Sequence, residues 1–495
     1  MDFKPTAEQE RIFTFIRKRP ENILIKAFAG CGKTATIIEC SKMLPKDKNI
    51  IFLAFNKHIQ EELKTKLNEN IRCYTTYGLG TSAIKRKYGD KITFDEFKAD
   101  KIILKKSKSW DLHDEFKSQE KIDFYLNSIK KLCNLCRLTL TVKPEYIPYI
   151  ADRYEITNLR KSEDIKRVLK VLDEMSKNRE TFDFTDMVYL PAIDKGIWMY
   201  PQDYVMVDEI QDLNFAQIRM IEKILKRDKK TGKILGRLIT VGDFFQGIYG
   251  FNGTSEKSFE WFEKFPNTRT LPLSHSFRCA KNIIIEAQKI VPDIKALDNA
   301  PDGIVREGSV LTEAESGDFV LCRTTMPLVK LFFEFLIQNK KAIVKGSDIG
   351  VHLIELIGHI TTLGDLKVFW EQELQNFSAD LKSKGVLNPD EHSGYVALAD
   401  KVLTLLFLAK LSNGIEDLKE KIRTLFTDEI KGICLSTVHR IKGLESNRVF
   451  IVRPDLLPLK VVKDWQQIQE TNLIYVAITR AKTELIYDRN WSNEE

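Results

Sequence analysis

No stretch of the 495-residue sequence approaches the ~18 consecutive apolar residues that a membrane-crossing helix requires. The first residues, Met-Asp-Phe-Lys-Pro, lack the apolar core of a secretory leader. No membrane association is therefore expected, and a cytoplasmic location is. Cysteine is sparse and unpatterned: eight residues share no framework of spacings, which excludes a disulfide scaffold and predicts reduced thiols. The single Cys133-Asn-Leu-Cys136 has no second pair and no histidine at ligand spacing, so it reads as core packing and not as a metal site. Internal repeats and low-complexity tracts are also lacking.

What is present is a globular composition, 43% hydrophobic, 30% charged and 10% aromatic, on a chain too long for one core. The net charge of +7 permits a polyanionic partner without requiring one. Strand-like apolar runs fall in two regions. Asn22-Ile-Leu-Ile-Lys-Ala, Asn49-Ile-Ile-Phe-Leu-Ala-Phe, Tyr204-Val-Met-Val-Asp and Arg237-Leu-Ile-Thr-Val-Gly form one set. Asp318-Phe-Val-Leu-Cys, Ala342-Ile-Val-Lys, Gly432-Ile-Cys-Leu-Ser and Arg448-Val-Phe-Ile-Val form the other. Runs of this kind mark buried parallel strands, so each set predicts a sheet with helices on both faces. Each set is interrupted by a stretch of helical pattern. The first interruption is lysine-rich: residues 81–180 hold 23 Lys+Arg against 17 Asp+Glu, most of the excess charge of the chain. The expected fold is α/β, with one core at 1–83 and 182–272 carrying a helical insertion at 84–181. A second core at 273–350 and 428–495 carries a smaller insertion at 351–427.

The sharpest local signal is Ala27-Phe-Ala29-Gly30-Cys31-Gly32-Lys33-Thr34, which follows a strand pattern and opens a helix. It fits a phosphate-binding loop with Ala27 in place of the usual first glycine. Small residues let backbone N–H groups wrap a β-phosphate, and the helix N-terminus adds its dipole. Lys33 would reach the β- and γ-phosphates, and the Thr34 hydroxyl would ligate Mg²⁺. Its partner is Val205-Met-Val-Asp208-Glu209, an apolar strand ending in two acids. There Asp208 would hold Mg²⁺ through water and Glu209 would orient and deprotonate an attacking water. A tight glycine turn and a solvated strand end are the bland alternatives, and the ordered pairing of the two signals disfavours both.

With these residues in place the resemblance to a family becomes specific. Val207-Asp208-Glu209-Ile-Gln211-Asp212-Leu-Asn214 resembles motif II of the UvrD/Rep helicases, and Val241-Gly-Asp243-Phe-Phe-Gln246-Gly-Ile-Tyr249-Gly-Phe251 their motif III. Leu273-Ser-His-Ser-Phe277-Arg278 resembles motif IV, Thr437-Val-His439-Arg-Ile-Lys442-Gly-Leu-Glu445 motif V, and Leu473-Ile-Tyr475-Val-Ala-Ile-Thr479-Arg480 motif VI. Thr6 and Gln9 resemble the adenine-reading Q motif, Phe55-Asn56-Lys57 motif Ia, and Thr75-Thr-Tyr77 motif Ib; Asp183-Phe184-Thr-Asp186 resembles the segment after the first insertion. All occur in the family's order.

The resemblance implies two RecA-like P-loop cores with ATP in the cleft between them. It assigns Gln9 to the adenine edge, Phe277 to its face, Gln246 to the γ-phosphate, Glu445 to the nucleotide, and Arg278 and Arg480 to arginine fingers. Phe55, Asn56, Tyr77, Tyr249, Phe251 and His439 match strand-contacting positions, where stacking aromatics hold bases. For a lone phenylalanine the core is the commoner home. Phe251 departs from that because it follows Gln246 in a Gly-rich loop. The sequence departs from the family at Asn252, where an arginine is usual, at Ala35, and at Tyr77, where relatives carry histidine.

The activity implied is ATP-dependent movement 3′ to 5′ on single-stranded DNA, with unwinding at single-strand/duplex junctions. Gln246-Gly-Ile-Tyr-Gly-Phe lacks the proline typical of the opposite-polarity branch. A translocase that strips proteins from DNA without efficient unwinding, and a nucleotide-switched DNA-binding scaffold, are the alternatives. The short insertions and the small remainder after motif VI suggest a compact motor with no appended nuclease. The sequence names no protein partner.

Overall fold

A computed structural model describes residues 4–116, 119–156, 158–159, 161–254, 256–358, 360–383, 386–461 and 463–491. The chain divides into two compact units at Leu273/Ser274, with the loop segment Phe28–Cys31 grouping with the second.

The first unit is built on six strands: β1 (Asn22–Ala27), β2 (Ile50–Ala54), β3 (Ile71–Thr75), β4 (Tyr204–Val207), β5 (Arg237–Gly242) and β6 (Thr268–Leu273). Their order is β3-β2-β4-β5-β1-β6, and every pairing is parallel. Strands β1, β2, β4 and β5 were legible as apolar runs because both of their faces are covered. The two edge strands, β3 and β6, were not, because exposed residues such as Arg72 and Thr270 break the run. Leu24, Ile51, Leu53, Val205, Val207 and Leu238 join helical residues such as Ile218 and Ile221 in one buried core.

Between β3 and β4 the chain runs through helices at Lys98–Ser107, Gln119–Leu138, Ile147–Arg153 and Ser162–Lys177. A buried ion cluster ties this segment to the helix Phe184–Ile193. Arg137 donates to Asp183 at 2.8 Å and to Asp186 at 3.0 Å, and Lys98 donates to Asp186 at 2.6 Å. Each charge is matched, which is how four charged side chains tolerate loss of water. Cys133 and Cys136 are buried free thiols here, and burial pushes the Cys136 thiol up to about 12. Among the described residues no three or more His, Cys, Asp and Glu side chains cluster as a metal-ligand set.

The second unit carries a seven-stranded parallel sheet. Its strands are β7 (Ile304–Glu307), β8 (Phe319–Cys322), β9 (Ala342–Lys345), β10 (Phe426–Thr427), β11 (Ile433–Thr437), β12 (Ser446–Val452) and β13 (Ala481–Asp488). They are ordered β7-β13-β12-β8-β11-β9-β10. Val320, Leu435, Phe450 and Ile486 from its centre form a core with Leu328, Leu331 and Phe335 of the helix Met326–Ile337. Helices Ser347–Leu356, Leu363–Ser383, Ser393–Lys410 and Ile415–Leu425 lie between β9 and β10 in sequence. No helix among the described residues is long and apolar enough to cross a membrane.

Candidate nucleotide site and strand-contact residues

In a parallel sheet the loops at the carboxyl ends of adjacent strands converge, and ligands bind there. The order β4-β5-β1 therefore brings three loops together: the glycine-rich loop after β1, the two acids after β4 and the Asp243–Gln246 segment after β5. Gly30 and Gly32 adopt φ of 70° and 74°, the left-handed region that only glycine enters without strain. Gly32 precedes the helix Lys33–Lys42 and offers no side-chain cap, and a helix N-terminus of this kind favours an anion.

The polar side chains of this site fall within reach of one another. Lys33 Nζ lies 3.6 Å from Glu209 Oε1, and the Thr34 hydroxyl donates to Asp208 Oδ2 at 3.4 Å. Burial, together with Glu209 beside it, pushes the Asp208 carboxyl up to about 7, with Lys33 opposing the shift. Glu209 itself sits at φ 51°, a left-handed conformation unusual for a side chain of its size, directly after the buried strand. Strain of this kind persists where surrounding bonds hold it.

Two residues to which the sequence assigned no role complete the arrangement. Gln211 donates through Nε2 to Glu209 Oε2, and its Oε1 accepts from the Asp243 N–H at 3.0 Å. Asp243 Oδ2 in turn accepts from Gln246 Nε2 at 2.7 Å. Asp243 is fully buried, and that burial pushes its carboxyl up to about 6. Glu209, Gln211, Asp243 and Gln246 thus form a continuous hydrogen-bonded chain. Both residues lie in the quoted motifs, so the signal was present; the pairing was not, because it joins loops after different strands.

Gln9 is buried and both ends of its amide are hydrogen-bonded. Its Oε1 accepts from Thr6 N–H at 2.9 Å in a capping box, and its Nε2 donates to the Thr36 hydroxyl at 2.9 Å. Thr36 donates onward to the Gly32 carbonyl at 2.8 Å. The residue expected at the adenine edge is here bonded, through one hydroxyl, to the phosphate loop.

In the second unit Arg480 is 1% exposed. It donates to the carbonyls of Val476 at 3.0 Å and Leu444 at 3.1 Å and to the Thr479 hydroxyl at 3.3 Å. Burial, with Arg278 alongside, lowers its guanidinium to about 9. Arg278 pairs with Glu445 and donates to the Thr479 carbonyl at 3.2 Å. Glu445 also pairs with Lys482 at 3.0 Å; burial opposes ionisation, but Arg278 and Lys482 hold its carboxyl below the usual range. Phe277 is half exposed beside this cluster in sequence. Burial followed by the nearby Arg323, Arg440 and Lys442 lowers His439 to about 3, so its ring is neutral.

Of the strand-contact candidates, three form a row in the first unit. Phe55 and Tyr249 stack at 6.2 Å with 13° between their planes, and Tyr249 meets Phe251 edge-on at 6.0 Å. Phe251, on the short turn Gly250–Asn252, is 50% exposed, which is not the burial of a core phenylalanine. Asn56 caps the helix Lys57–Lys64 by accepting from Ile59 N–H at 2.9 Å, and Tyr77 is partly buried against the first core.

Comparison with known proteins identifies the family. The UvrD/REP helicase N-terminal domain matches residues 6–267, and the UvrD-like helicase C-terminal domain matches residues 374–489. The chain is similar to F-box DNA helicase protein 1 of Schizosaccharomyces pombe, 26% identical over 97% of this chain and 57% of that protein. It is also similar to F-box DNA helicase 1 of Gallus gallus, at 23% over 99% of this chain and 49% of that protein. ATP-dependent DNA helicase Rep of Buchnera aphidicola is 24% identical over 86% of this chain and 65% of its own length. The chain thus spans about half the length of the first two relatives. With the first of these domains matching more than half of the sequence, and the motif residues gathered as described, the chain belongs to the UvrD/REP helicase family.

Proposed function

We propose that this chain is an ATP-driven motor that moves 3′ to 5′ along single-stranded DNA and opens duplex at single-strand/duplex junctions. The observation that carries the reading is the gathering of Lys33, Thr34, Asp208, Glu209 and Gln246 at the carboxyl ends of three adjacent strands. In this reading Lys33 and the N–H groups of Ala29, Gly30, Cys31 and Gly32 hold the phosphates. Glu209 orients the attacking water and takes its proton, while Gln246 senses the γ-phosphate. Arg278 and Arg480 are the candidate arginine fingers, and Gln9, Phe277 and Glu445 the candidate nucleotide-positioning residues.

The residues fit Mg²⁺. A hydroxyl and a carboxylate converge, and burial, with Glu209 alongside, raises Asp208 toward neutrality, a penalty that a divalent cation relieves. Thr34 and Asp208 would hold the ion, which when bound would neutralise charge developing between the β- and γ-phosphates.

The row Phe55–Tyr249–Phe251 would stack bases, with Asn56, Tyr77 and His439 as further strand contacts. We assign 84–181 and 351–427 as insertions into two RecA-like cores, consistent with the helices found there. All eight cysteines are free and buried, in keeping with a reducing, cytoplasmic compartment.

The test is ATP hydrolysis with and without oligothymidylate, beside unwinding of duplexes bearing a 3′ or a 5′ single-stranded tail. Strand-stimulated hydrolysis with preference for the 3′ tail is expected. Hydrolysis indifferent to the strand would sink the motor, and preference for the 5′ tail would sink the polarity.

A further inference from the structure

On the first unit, apart from every residue given a functional role above, two aromatic and two arginine side chains form an exposed cluster. Trp198 and Tyr200 are 52% and 48% exposed, and their rings meet edge-on at 4.3 Å. The Arg86 guanidinium lies 4.4 Å from the Tyr200 ring centre and 5.8 Å from that of Trp198. The Arg72 guanidinium lies 5.9 Å from Tyr200. Both arginines are exposed.

The cluster is held in place from beneath. Arg86 donates to the Trp198 carbonyl at 3.1 Å, Arg72 donates to Gln202 Oε1 at 3.0 Å, and Gln202 donates to the Tyr200 carbonyl. Side chains already fixed in place lose little freedom when a ligand binds them. Among the described residues neither Arg72 nor Arg86 has a carboxylate partner, although the neighbouring Lys87 is paired with Asp194 at 2.8 Å and Lys226 with Asp203 at 2.6 Å. Two oriented guanidinium forks are thus left without a carboxylate partner among the described residues.

Position separates this cluster from the strand track. Arg72 stands at the amino end of β3 and Gln202 precedes the amino end of β4, whereas Phe55 and the acids Asp208 and Glu209 follow the carboxyl ends of β2 and β4. Ring access separates it too: the Arg86 guanidinium already lies over the Tyr200 ring, which covers a face that a stacking base would need. Tryptophan, tyrosine and arginine clustered together are the residues that dominate protein–protein binding energy. Guanidinium groups pre-oriented by stacking take carboxylates bidentately.

We propose that Trp198, Tyr200, Arg72 and Arg86 form a docking site for an acidic segment of a partner protein. The carboxylates of that segment pair with the two arginines, and an apolar side chain of the segment packs on Trp198.

The test uses a fluorescein-labelled synthetic peptide alternating glutamate and leucine, titrated into the whole chain and read by anisotropy. A lysine–leucine peptide and oligothymidylate serve as the comparison probes. The acidic peptide should bind, the basic one should not, and Arg86→Gln, Arg72→Gln and Trp198→Ala should each weaken binding at least about tenfold. Arg86→Lys, which keeps the charge and loses the fork, should fall between wild type and Arg86→Gln. Because all four side chains are exposed, the melting temperature of each variant should stay with that of wild type, and an arginine variant that does melt early is replaced by reversal of charge at the other arginine, Arg72→Glu or Arg86→Glu. Absence of acidic-peptide binding, or binding that these substitutions leave unchanged, overturns the proposal. Loss of oligothymidylate binding in the same variants, with the peptide indifferent, assigns the cluster to nucleic acid and overturns it as well. None of these readouts depends on ATP hydrolysis, so failure of the motor reading and failure of this one are separable.

Discussion

The side chain of Gln211 accepts from the Asp243 N–H at 3.0 Å while donating to Glu209, so one amide spans the loops after β4 and β5. The approach depends on Gly242. A Cβ there would stand 2.7 Å from Gln211 Oε1 and 2.6 Å from Ile210 Cγ1, closer than side chains pack. Gln211→Leu removes both bonds while keeping the approximate volume. It should lower the turnover of ATP by roughly tenfold or more with little change in KM, because it loosens the base and leaves the phosphate loop alone. Gly242→Ala should reproduce the loss by displacing the same amide. A change confined to KM would remove Gln211 from the positioning role.

Glu209→Gln should bind ATP and fail to turn it over. The amide retains the hydrogen-bonding shape that Gln211 meets but cannot take a proton. Nucleotide binding measured beside hydrolysis checks this, and near-normal turnover would free Glu209 of the assignment.

For Arg480 the buried setting changes the variant of choice. Removing its side chain takes the guanidinium donor from the Leu444 carbonyl and one of two donors from the Val476 carbonyl, at a cost of about 1–3 kcal/mol. Arg480→Ala should therefore lower the melting temperature as well as hydrolysis. Arg480→Lys keeps a cation and should retain more of the stability while still losing hydrolysis, since a single ammonium cannot replace the fork. Equal recovery of both properties in the lysine variant would argue for a purely structural arginine.

Phe251→Ala should weaken oligothymidylate binding by about 1–3 kcal/mol and lower strand-stimulated hydrolysis with it. The salt dependence of binding should keep its slope, since phosphate contacts are untouched. Phe251 is half exposed, so the melting temperature should move little. A loss of about 3–5 kcal/mol in stability, the cost of emptying a core site, would show instead that Phe251 packs the fold.

His439 supplies a pH signature. Its folded value near 3 lies below the ordinary value of 6.5, so between these limits the unfolded chain binds a proton that the folded chain does not. Stability contributed by this group is complete above about pH 6.5 and declines as pH falls toward 3. Wild type should lose more melting temperature between pH 7 and pH 5 than His439→Gln does. An equal loss in both would mean that other groups carry the acid sensitivity.

The phosphate loop, the two acids and the four central strands of the first sheet could be read from the sequence because their signals are local. A strand buried on both faces is apolar residue after residue, and a glycine-rich turn entering a helix is contiguous in the chain. Edge strands β3 and β6 escaped that reading, since exposed residues such as Arg72, Arg269 and Thr270 interrupt their apolar runs. Only the folded chain decided that Gln9 spends its amide on Thr6 and Thr36, that Arg480 is enclosed by backbone carbonyls, and that Gln211 bridges Glu209 to Asp243. The exposed grouping of Trp198 and Tyr200 with Arg72 and Arg86, drawn from segments more than a hundred residues apart, was likewise invisible beforehand. Periodicity reports which faces are covered, whereas hydrogen bonds and stacking between distant segments depend on strand order. That order is set by the packing of the whole sheet and leaves no mark on any one segment.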